Sequence, residues 1–262
     1  MKPALERLFA TYNRREFVHP DPLEFLYRYD DPADREIVGM LASCLAYGRV
    51  AQILKSVENA LERIPCPAQD LTSASRNSLE KAFIGFKHRF TDGAEVAALL
   101  WGIKTVMESY GSLQGLFLEG MDPGDKTVMP ALGKYMAALQ AAGGSGPCFS
   151  LPVPEKGGAC KRIHLFLRWM VRKDDVDPGG WDQVSPSKLV VPVDTHMHKI
   201  GLALGLTARK QANCKTALEI TSGFRKIAPD DPVKYDFALT RFGIRGELSI
   251  EDLVRQMKKT RD

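Results

Sequence analysis

REIVGMLASCLAYGRVAQILKSVENAL, residues 35–61, carries the reading of the fold. Ile37, Leu41, Cys44 and Leu45 recur at intervals of three and four, as one buried face of an α-helix requires. After a break at Tyr47-Gly48, Ile53, Leu54, Val57, Ala60, Leu61 and Ile64 repeat the pattern. Outward from this pair the same spacing continues. Leu5, Leu8, Phe9 and Tyr12 mark a helix near the N-terminus. Asp92 and Glu95 form a capping-box start ahead of Val96, Leu99, Leu100, Ile103 and Val106. Val128, Leu132, Tyr135 and Leu139 mark another helix. Asp231-Pro232 reads as N-cap and first helical residue before Tyr235, Ala238, Leu239 and Phe242, with Gly243 as stop, and Ser249 caps a last short helix. Period-2 strands are absent from the pattern, so the expected class is all-α.

The chain has 262 residues, 44% apolar and 26% charged, the balance of a globular protein. Its net charge of +4 is too small to argue for a polyanionic partner by itself. No stretch approaches the roughly 18 apolar residues of a membrane span. The N-terminal MKPALERLFATYNRREF has no apolar signal region. Five cysteines, Cys44, Cys66, Cys148, Cys160 and Cys214, show no CxxC spacing. That sparse, odd set fits reduced thiols, and the expected location is cytoplasmic.

Two segments interrupt the helices. GGSGPCFSLPVPEKGG (143–158) and DDVDPGGWDQVSPSKLVVP (174–192) are long, irregular stretches of the kind that often carry function. Between them lies GGACKRIHLFLRWMVRK (157–173), whose Ile163, Phe166, Leu167, Met170 and Val171 form a buried face. Lys161, Leu165, Arg168 and Arg172 fall on the opposite side, a basic stripe expected to face solvent. Lys161 follows Gly157-Gly158 at a helix start, where backbone N–H groups can hold a phosphate. After the second loop comes VPVDTHMHKIGLALGL (191–206), in which Asp194 is placed as N-cap of a new helix.

That segment resembles the VDTHVxRVxxRLGL run of the helix–hairpin–helix DNA glycosylases, the endonuclease III superfamily. In that family the Asp opening the helix is catalytic, and Asp194 is its match. The family's catalytic Lys stands four residues after the first Gly of a hairpin. Gly157 to Lys161 keeps that spacing, so Lys161 is its match. Residues 35–61 resemble the family's early helix pair. The usual hairpin is replaced by PEKGGACK (154–161), and the 33-residue separation of Lys161 and Asp194 is similar to that of the archaeal 8-oxoguanine glycosylase branch. KRIHLFLRWMVRKDDVD (161–177) also resembles an uncharacterised bacterial conserved-hypothetical family.

The resemblance implies a single two-lobed helical unit over 1–262 with a modified helix–hairpin–helix element. Its lobes would be 1–64 plus 193–262, and 65–192. It implies base-excision chemistry on damaged duplex DNA, oxidised purines included, with Lys161 as nucleophile and Asp194 as its assistant, and strand cleavage by an AP-lyase step. Phosphates would fall to Gly157, Gly158, Arg49, Arg162, Arg168, Arg172 and Lys199. The base pocket would draw on Tyr47, Trp181 and Phe242. No metal, iron–sulfur cluster or other cofactor is implied. Two other readings stand beside it. A non-catalytic DNA-binding protein could keep the fold without the chemistry. Asp194-Thr-His196-Met-His198 also imitates the DxHxH strand of metal-dependent hydrolases, although on a helix the two histidines point roughly 200° apart.

Overall fold

A computed structural model describes residues 1–144, 154–244 and 248–258. The protein is all-helical apart from one small hairpin. The first helices are α1 (Lys2–Tyr12), α2 (Pro32–Leu45), α3 (Val50–Leu61), α4 (Pro67–Ser73) and α5 (Arg76–Ala82). The hairpin follows, from β1 (Lys87–His88) and β2 (Thr91–Asp92), and leads into α6 (Gly93–Tyr110) and α7 (Leu113–Glu119). Next come α8 (Met129–Gly143), α9 (Lys161–Val171) and α10 (Thr195–Ala203). The chain continues with α11 (Cys214–Arg225), α12 (Asp236–Ile244) and α13 (Ile250–Lys258).

Local chemistry sets these boundaries. Asp31 caps α2 through the amides of Ala33 and Asp34, with Pro32 as the first helical residue. Asp92 and Glu95 make the expected reciprocal capping box, and Gly111, in the left-handed region, ends α6. Ser249 accepts from Asp252 N at 3.1 Å and caps α13. One expected start is displaced. Asp231 does not cap a helix, because its Oδ2 is taken at 2.9 Å by Arg172 Nε; α12 begins only at Asp236 and runs through Gly243 to Ile244.

Buried apolar side chains form one cluster reaching from Leu5 to Leu253. Helix α6 packs along α8, α2 against α9, and α1 and α10 against α12. The α6–α8 crossing is close enough that a Cβ on Gly102 would lie 2.8 Å from Leu139 O, and one on Gly143 2.8 Å from Ala98 O. Only glycine fits at that crossing. Residues 174–192 thread the interior rather than the surface. Trp181, 1% exposed, meets Phe117, Tyr135 and Phe166 at centroid separations of 5.2–6.4 Å. Such ring pairs contribute about 0.5–1.5 kcal/mol each beyond area burial. The Trp181 indole N–H donates to the buried Glu36 carboxylate at 2.6 Å, which also accepts the amides of Leu113 and Gln114 at the start of α7. No helix among the described residues is long and apolar enough to cross a membrane.

Candidate active site

Helix α2 ends at Ala46 with the carbonyls of its last turn unspent, the usual state of a helix C-terminus. Two basic residues opening α9 answer them. Arg162 Nη1 donates to Cys44 O at 3.1 Å, and Lys161 Nζ donates to Ala46 O at 3.4 Å. Across the gap, Asp194 divides its carboxylate between two tasks. Oδ1 accepts the amides of His196 and Met197, both at 2.9 Å, and so caps α10. Oδ2 lies 3.5 Å from Lys161 Nζ. The two side chains are 31% and 21% exposed, reachable from solvent yet held. Before Lys161, Gly157 lies at φ +76 and Cys160 at φ +47, a bent approach paired to the α11 entry through Cys214 N and Gly157 O at 3.0 Å.

Lys161 and Asp194 open onto a cleft of about 840 Å³, within the size range of small-ligand sites. Tyr47, Gly48 and Arg49 form one wall, and Thr195, His196 and Gly243 another. A Cβ on Gly243 would sit 2.4 Å from His196 Nδ1, so glycine there lets the His196 ring occupy the wall. Of the remaining expected contacts, Arg162 also lines the cleft and lies 5.1 Å from the Tyr47 ring centroid, and Lys199 is exposed on α10.

The expected outward stripe on α9 is corrected. Arg168 and Arg172 are 2% and 4% exposed. Arg168 Nε binds Asp177 Oδ1 at 3.1 Å and its Nη1 binds Asp236 Oδ2 at 2.5 Å. Arg172 binds Asp177, Asp174 at 2.8 Å and Asp231 at 2.9 Å. Buried guanidinium groups persist only when paired in this way. Trp181 and Phe242 are likewise interior. Phe242, 1% exposed, packs edge-on to Tyr12 at 5.2 Å, and neither ring borders the cleft. Tyr47 is the one expected pocket aromatic that does.

Sequence reading missed the floor. Asp236 and Arg168 line the cleft base, and each keeps one unspent buried atom, Asp236 Oδ1 and Arg168 Nη2. Burial pushes the Asp236 carboxyl up to about 6, against the pull of Arg168. Arg241, 1% exposed, sits alongside, paired to Asp21 at 2.8 Å. The one sequence signal for this floor is the surplus of aspartates at 174, 177, 231 and 236, which fold together around two arginines. As for the DxHxH resemblance, Asp194 is a helix cap, and His198 Nε2 lies 2.7 Å from Arg209 O. Among the described residues, no group of three or more His, Cys, Asp or Glu side chains converges as a metal site.

Residues 21–245 match the family described as a protein of unknown function, DUF2400. The match covers most of the 262 residues, and the chain belongs to that family. No curated protein and no solved structure matches it.

Proposed function

We propose that the protein is a DNA base-excision enzyme, a glycosylase with lyase activity on damaged duplex DNA, in which Lys161 is the nucleophile and Asp194 its proton acceptor. The observation that carries this reading is the approach of Lys161 Nζ to Asp194 Oδ2, 3.5 Å apart over one cleft. Two residues 33 positions apart, each singled out by a different motif, meet there. Because Oδ1 is fixed by the α10 amides, Oδ2 has a set direction, and a positioned carboxylate is what proton transfer from an attacking amine needs.

The step balances as follows. A nucleotide turned out of the duplex presents C1′ to Lys161 Nζ. The Nζ lone pair forms a bond to C1′ while the C1′–N bond to the base breaks. Its electron pair leaves on the base, which takes up a proton. Nζ gives a proton to Asp194 Oδ2. Opening of the sugar ring then yields a C1′=Nζ Schiff base, from which the 3′ phosphate is eliminated. The floor suits a neutral planar ring better than a phosphate, since Asp236 Oδ1 accepts and Arg168 Nη2 donates side by side. Phosphates would be met by Arg49, Arg162 and Lys199, and by the amides around Gly157 and Gly158 that lead into α9.

Borohydride reduction on duplex DNA containing an abasic site is the test. The wild type should give a covalent adduct and Lys161→Gln none, with duplex affinity changed less than about threefold because one charge among several contributes little. An adduct that persists in Lys161→Gln places the nucleophile elsewhere. Absence of any wild-type adduct, with duplex binding intact, favours the non-catalytic DNA-binding reading.

A further inference from the structure

We propose that the β1–β2 hairpin is a wedge. On this reading, which rests on the DNA function above, Phe90 at its tip enters the duplex and fills the gap left by the nucleotide turned into the cleft. The hairpin is anchored at its base and exposed at its tip. His88 and Thr91, the paired residues flanking the turn, are both 0% exposed. Tyr47, in the cleft wall, ties them down: its hydroxyl donates to His88 O at 2.8 Å and accepts from Thr91 N at 3.1 Å. The His88 ring is bonded on both sides, to Ser56 Oγ at 2.8 Å and Tyr47 O at 3.1 Å.

The two-residue turn itself is Arg89-Phe90. Arg89 lies at φ +52, a left-handed conformation that glycine would adopt without strain in such a turn. With arginine there instead, the guanidinium lies against Gly48 in the cleft wall and 5.9 Å from the Tyr47 centroid. Phe90 is thrown outward, 65% exposed, with exposed Lys87 and Arg89 beside it. A single aromatic ring between two cations on a narrow turn has the chemistry of a base stack bordered by phosphates. Apolar side chains inserted at base steps unstack and open the duplex in this way. A protein groove would instead call for a broader apolar face, and here the tip offers one ring.

The probe is a duplex bearing a tetrahydrofuran abasic-site analogue flanked by 2-aminopurine, compared with an undamaged duplex of equal length. Wild-type protein should prefer the abasic duplex and raise 2-aminopurine fluorescence as the flanking bases unstack. Phe90→Ala should lose at least about tenfold of that preference and the fluorescence rise, in line with the stacking energy of one ring on one base. Its affinity for undamaged duplex should stay within about twofold, and Phe90→Trp should restore the preference. Because the side chain is exposed, the variants should fold, which circular dichroism checks. Equal weakening on both duplexes, or an unchanged preference in Phe90→Ala, overturns the wedge while leaving the DNA reading in place. Failure of the wild type to bind either duplex at low salt overturns both.

Discussion

Replacing Arg168 with methionine tests whether that residue belongs to the interior or to a DNA-facing surface. The substitution keeps roughly the volume and deletes the cation. Asp236 then loses its only ion-pair partner among the described residues, and Asp177, 0% exposed, keeps Arg172 alone. Removing one member of a buried ion pair costs about 3–5 kcal/mol, because the remaining charge stays desolvated. At about 2–4 °C per kcal/mol for a chain of this size, the thermal midpoint at pH 7.5 should fall by about 6–20 °C. The pH dependence carries a sign. Burial already pushes the Asp236 carboxyl up to about 6, and without Arg168 it rises further. A carboxyl that holds its proton more tightly folded than unfolded loses stability as pH rises and regains it as pH falls. The deficit of Arg168→Met relative to wild type should therefore shrink between pH 7.5 and 5. The salt dependence of duplex binding should not change. A midpoint within 2 °C of wild type, or a deficit that grows toward acid, would falsify the buried-network account. A salt slope reduced by about one would return Arg168 to the DNA interface.

Asp194→Asn should keep the cap, since asparagine and aspartate cap helices about equally, and should leave the thermal midpoint within about 1–2 °C. Single-turnover base release should nevertheless slow by about 100-fold or more, the range of proton-transfer catalysis; full activity in a stable variant would reduce Asp194 to a cap. Arg49→Ala should lower the magnitude of the log–log salt slope for duplex binding by about 0.9, as for any single lost phosphate contact, and an unchanged slope removes Arg49 from the interface. His164, 2% exposed, is held neutral by burial with its imidazole lowered to about 4. The unfolded chain takes up that proton first, so up to about 3 kcal/mol of stability should disappear as pH falls from 6.5 to 4. His164→Leu should flatten that acid loss in urea titrations, and an unaltered acid limb would assign the loss to other groups.

The helices were legible because their signals are local. A three-and-four spacing with Asp92, Glu95 or Ser249 at the entry is decided within one turn, before tertiary contacts are formed. Asp231-Pro232 shows the limit: an equally strong entry signal yields when a buried guanidinium from 59 residues away claims the carboxylate. The Arg168–Arg172 stripe failed for a related reason. Periodicity says which residues share a side of a helix, and it is silent on whether a second layer covers that side. Here the 174–192 segment and α12 do so, and the acids they bring make burial of two arginines tolerable. Lys161 and Asp194 were legible as motif positions, and their distance was not, since it depends on how α9 and α10 meet. The Asp236 floor carried no local pattern at all.

Helix α9 holds three basic residues at three depths: Lys161 at the cleft edge, Arg168 at the cleft floor, Arg172 in the interior. It behaves as a spindle clamped at the end remote from its working tip. Four carboxylates grip Arg168 and Arg172, so neither rotation nor sliding of the helix is possible without breaking ion pairs. Lys161 inherits its heading from that grip. Eleven residues at 1.5 Å each put the clamp at Arg172 about 16 Å from the tip, so the aim of the amine is fixed by residues that no substrate touches.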